Sequence, residues 1–94
     1  MKLEYKIEKE KRSIEVNHDI SWEDFCKSTD LVVLMNYPNE NPFSYMVDFI
    51  MLWTGKNSDQ MQEWKDASKS QVLFVQEIKI VFDLIIQNTE SKKK

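Results

Sequence analysis

The chain has 94 residues and a net charge of −3, with 41% hydrophobic and 31% charged residues, which suits one small globular domain and excludes a largely disordered chain. Its one glycine excludes a glycine-rich phosphate loop, and its one cysteine, Cys26, excludes an intramolecular disulfide and makes a reducing compartment the expectation. The charge is uneven: residues 1–12 hold five Lys/Arg and three Glu, residues 13–66 three Lys and ten Asp/Glu, and residues 67–94 five Lys and three Asp/Glu, or +2, −7 and +2. An acidic middle argues against nucleic acid as a direct ligand, because phosphate binding needs a basic face.

Leu3, Tyr5 and Ile7 alternate with charged residues, and after Lys9–Arg12 the alternation resumes at Ile14 and Val16. Period two predicts an antiparallel hairpin over about 2–17 that buries one face. Its turn contains neither Gly nor Asn, which favours a longer loop over the tightest two-residue types. His18 follows the hairpin beside Asp19. One imidazole and one carboxylate fall short of a metal set or a triad, so a solvent-exposed turn residue is expected.

Ser21 precedes Trp22-Glu23-Asp24 as an N-cap, with two carboxylates at the positive end of the helix dipole and Ile20 and Phe25 placed as a hydrophobic staple. A helix over 22–29 follows, in which Cys26 is expected as a buried structural thiol. The apolar run Leu31–Met35 has no readable period and fits either strand or helix. Asn36 to Pro42 holds two prolines and three asparagines and forms the main loop. Asn41 as cap, Pro42 at the first helical position and Gly55 as a left-handed terminator bound a helix over 42–54, apolar on nearly every side.

Ser58 is expected to cap a last helical region over 59–88. In its second half Leu73, Phe74, Val75, Ile78, Val81, Phe82, Ile85 and Ile86 leave only a narrow polar stripe. As one helix it would span roughly 45 Å, too long for a domain whose radius of gyration should be about 12 Å. It therefore breaks near 67–70 or projects from the body. The alternation of Ile78, Ile80, Phe82, Leu84 and Ile86 also admits a strand. Residues 91–94 form a basic tail.

The fold expected is α+β, one domain over 1–90 with the N-terminal antiparallel hairpin packed on three to four helices and the 42–54 and C-terminal helices at the centre. No stretch reaches the ~18 uninterrupted apolar residues of a membrane span. Met1–Arg12 has no apolar run resembling a signal peptide, so the expectation is a soluble cytoplasmic protein. No nucleophile, base and orienting group can be placed together, so no enzymatic activity, cofactor or metal is expected.

Three tryptophans and five methionines are more than a small core needs, and both residue types suit adaptable binding surfaces. The expected function is a non-catalytic protein–protein interaction module. Tyr45, Trp53 and Trp64 are its candidate aromatic contacts, and Asp19, Glu23, Asp30 and Glu40 form an acidic belt toward a basic partner. An assembly factor or chaperone, an acidic inhibitor or immunity protein, and a self-associating structural subunit all fit this pattern. The Gly-poor, Lys/Glu/Asn-rich composition resembles that of accessory proteins from compact AT-rich genomes, bacteriophages among them, without pointing to a family.

Overall fold

The computed structural model describes residues 1–17, 19–36 and 42–91, with the main chain alone at 89–91. His18, the loop residues 37–41 with the expected Asn41 cap and Glu40, and the tail at 92–94 lie outside the described residues. Among the described residues two strands, β1 (Lys2–Ile7) and β2 (Glu10–Glu15), precede four helices: α1 (Trp22–Met35), α2 (Pro42–Thr54), α3 (Ser58–Ala67) and α4 (Gln71–Ser91). The expected α+β architecture of a hairpin on helices is the one observed.

The strands pair antiparallel with Leu3 opposite Ile14, Tyr5 opposite Arg12 and Ile7 opposite Glu10. This register puts Leu3, Tyr5, Ile7 and Ile14 on one face and leaves only Glu8 and Lys9 to turn the chain. The connection is thus the tight two-residue type, and the expected longer loop is corrected: φ is +47° at Glu8 and +74° at Lys9. A two-residue turn matching strand twist needs φ > 0 at both positions. Here two non-glycine residues adopt it, at a cost of roughly 1–2 kcal/mol each, because the buried face fixes the register.

Helix α1 begins as expected, with the Ser21 hydroxyl accepting from the Asp24 amide at 3.1 Å, but it runs beyond Thr29 to Met35. Ser28 and Thr29 do not break it. Both hydroxyls donate to the Phe25 carbonyl, at 2.8 and 3.1 Å, so the polar side chains are satisfied within the helix. Leu31 and Val32 then pack toward the core.

Helix α2 ends at Gly55, whose φ of +74° is the left-handed value expected there and whose amide donates to Met51. The cap of α3 is Asn57 rather than Ser58. Its side chain accepts from the Gln60 amide at 2.9 Å, while the Gln60 side chain accepts from the Asn57 amide at 2.8 Å, a reciprocal box that Ser58 has no partner to build. The expected break is present: α3 ends at Ala67, Ser68 is extended, and Ser70 caps α4 by accepting from the Leu73 amide. Residues 78–86 are helical, so the strand alternative is set aside.

The layers run α1 on α2, α2 on α4, and α4 on β1. Helices α2 and α4 are therefore covered on two sides, which accounts for apolar faces wider than a surface helix carries. Ile50, Ile78, Val81, Ile85 and Val16 are fully buried between these layers, each worth roughly 1.5–3 kcal/mol of transfer free energy. The molecule measures 35 × 32 × 23 Å. Among the described residues no helix is long and apolar enough to cross a membrane.

Candidate functional site

Strand alternation sends Arg12 to the inner face of the hairpin beside Tyr5, and both meet Glu77, a carboxylate set among the buried α4 residues Phe74, Ile78 and Val81. Glu77 is only 3% exposed. The Tyr5 hydroxyl donates to Glu77 Oε2 at 2.6 Å, Arg12 Nη1 lies 3.4 Å from the same oxygen, and the Trp64 indole N–H donates to Oε1 at 3.0 Å. Donors from β1, β2 and α3 thus converge on one side chain of α4. A buried carboxylate needs such partners, since its isolated charge would be very costly.

Burial pushes the Tyr5 phenol above its ordinary range, and the hydrogen bond and negative charge of Glu77 add to that, against a smaller opposing effect of Arg12. At the hairpin end, the exposed Glu10 carboxyl is held below its usual range by Lys69, 3.4 Å away, and then by Arg12. An open cleft of about 560 Å³ lies above the cluster, walled by Ser13–Glu15 on one side and by Thr54–Lys56, Gln60 and Trp64 on the other. The arrangement ties the hairpin to the helices. Each Glu77 oxygen already accepts a hydrogen bond, and the side chain is too buried to meet a partner protein.

The aromatics singled out in the sequence do not gather on one face. Trp53 is a core residue, 6% exposed, and offers no surface to a partner in this conformation. Its indole N–H is buried without an acceptor among the described residues. Trp64 is half-buried, bonded to Glu77 and edge-on to Phe74 at 5.9 Å; Tyr45 is half-buried on α2. Asp19, Glu23 and Asp30 are exposed on or just before α1, Glu23 pairing with Lys27 at 3.5 Å.

Among the described residues the most exposed large hydrophobic one is Trp22, 77% accessible and stacked on Phe25 at 5.7 Å. With it on the outer side of α1 lie Cys26, Thr29 and Val33, all exposed. The expected buried thiol at Cys26 is therefore corrected. The spacing i, i+4, i+7, i+11 keeps the four on one helical stripe. That stripe becomes legible only when the helix is continued to residue 35. Glu77 too escaped the sequence reading, although a lone carboxylate between Phe74 and Ile78 on an apolar face was a signal for it. On the flank of α1 that meets α2 a shallow groove of about 580 Å³, floored by Leu31, Met51 and Leu52, is rimmed by Lys27, Asp30, Asp48 and Lys56.

Among the described residues no group of three or more His, Cys, Asp or Glu side chains comes together to hold a metal ion. Comparison with protein family models, curated proteins and solved structures finds no match for this chain.

Proposed function

We propose that this chain is a non-catalytic protein-binding module whose docking face is the outer side of α1. The observation that carries the reading is Trp22, an indole left 77% exposed in a protein that buries or half-buries its other two tryptophans. Binding surfaces concentrate affinity in such aromatics, with a charged rim around them. Here the rim is Asp19, Glu23 and Asp30, so the fitting partner is a protein with an apolar groove and a basic border, taking α1 as a helix in a groove. The role proposed for this surface is that of an assembly factor or chaperone, and the Gly-poor, Lys/Glu/Asn-rich composition is the ground for proposing a bacteriophage or mobile-element source. An acidic inhibitor or immunity protein would use the same face with more weight on the carboxylates.

The test is capture from the source cells with the immobilised wild-type protein and with Trp22→Ala. The expected result is a stoichiometric protein bound by wild type and lost with the variant, with a fall of ~2 kcal/mol or more in affinity and an unchanged denaturation midpoint. A partner held equally by both proteins would remove Trp22 and this face from the proposal. Binding that persists at high salt favours the apolar role, and binding that weakens favours the acidic one.

A further inference from the structure

We infer that the free edge of β2 pairs with β2 of a second copy, antiparallel about a two-fold axis at Ser13, to make a four-stranded sheet. The parity of the ladder carries the first step. Met1 and Val16 exchange both main-chain hydrogen bonds, Val16 N–H to Met1 O at 2.7 Å and Met1 N to Val16 O at 2.8 Å. Counting by twos through the register, Ile14, Arg12 and Glu10 bond toward β1. The main-chain groups of Lys11, Ser13 and Glu15 therefore point away from β1. Among the described residues no hydrogen bond reaches them. The next outward amide, Asn17, donates to Trp53 O at 2.7 Å, so the open edge ends there.

Charge selects the occupant and the register. Centred on Ser13, an antiparallel copy sets Lys11 opposite Glu15 of its mate, twice by symmetry, and Ile14 opposite Arg12, while all three outward residues form the hydrogen-bonded pairs. A slip of two residues toward the turn brings Arg12 against its own copy, and a slip the other way keeps only the two Ser13–Glu15 pairs, because Trp53 holds the Asn17 amide that Lys11 would meet. Opposite charges across a strand pair stabilise it and like charges destabilise it. The edge thus favours its own sequence in one register. A cleft of about 560 Å³ between Ser13–Glu15 and Thr54–Lys56 lies along this edge. In the free chain Glu15 lies 3.6 Å from the Met1 amino group and is 78% exposed, a contact weak enough to yield to Lys11 of the mate. This interface is separate from the α1 face.

Sedimentation equilibrium from ~10 µM to ~1 mM, a range suited to a small interface, should give a reversible dimer. Ser13→Pro removes an amide that serves only the outer edge, where proline is tolerated, and should give a folded monomer. Lys11→Glu and Glu15→Lys should each weaken the dimer about tenfold or more, and the double reversal should restore it. Amide exchange at Lys11, Ser13 and Glu15 should slow as concentration rises. A wild type that stays monomeric across the range overturns the inference and leaves the edge to a strand of another protein. A dimer that survives Ser13→Pro with its circular dichroism unchanged overturns it in favour of another face, α1 included.

Discussion

Tyr5→Phe tests whether the buried carboxylate ties the hairpin to the helices. The change removes one hydroxyl and almost no volume, leaving Glu77 Oε2 with only the Arg12 contact at 3.4 Å, while Oε1 keeps Trp64. A hydrogen bond to a charged group is worth roughly 1.5–3 kcal/mol. The 2.6 Å separation argues for the upper part of that range, and the place of Tyr5 beside an open cleft, which lets water replace the donor, argues for the lower, so the expected loss is about 2 kcal/mol. With a urea slope of about 1–1.5 kcal/mol/M for a domain of this size, the midpoint should fall by ~1.3–2 M. In a Glu77→Leu background the same substitution should cost little, because the acceptor is gone and the phenol can turn to the cleft. The two results form a double-mutant cycle. A Tyr5→Phe loss below ~0.5 kcal/mol, or an equal loss with and without Glu77, would refute the role assigned to the cluster.

Three further outcomes are expected. The Tyr5 phenol ionises less readily folded than unfolded, so its contribution is fully present below the unfolded value near pH ~10 and declines as pH rises through the higher folded value; the gap in denaturation midpoint between wild type and Tyr5→Phe should narrow above that pH. Replacing Glu8-Lys9 with Asn-Gly should raise stability by ~1–2 kcal/mol, since both residues hold positive φ that the new pair adopts readily; an unchanged or lower midpoint would show the turn unstrained. Ser21→Ala should cost about 1 kcal/mol in chemical denaturation through loss of the bond to the Asp24 amide, and no shift would mean the cap is replaced by water.

Local chemistry made much of this protein legible in its residues. The alternation of Leu3, Tyr5, Ile7 and Ile14 specified the hairpin, Ser21 and Gly55 marked helix ends, and the length limit on 59–88 left a break or a projection, of which the break at Ser68–Ser70 is the one realised. These are short-range effects, set by side-chain period, capping donors and backbone conformation, and they act within a few residues of their cause. The apolar breadth of α2 and α4 announced their central place, because only a helix covered on two sides can carry so little polar surface.

Tertiary structure decided the rest. Whether Trp22, Trp53 or Trp64 faces water depends on which side of each helix its neighbours cover, and composition is blind to that. The turn at Glu8-Lys9 went against its local preference because the buried Leu3, Ile7 and Ile14 outweigh two unfavourable dihedrals. Glu77 meets Tyr5 and Arg12 across separations of 72 and 65 residues, and no local pattern encodes such a meeting. Its charge is tolerable inside only because packing delivers three donors to one point. The free edge of β2 follows likewise from where the chain goes next: α2 returns to cover Asn17 through Trp53 and stops short of Ser13.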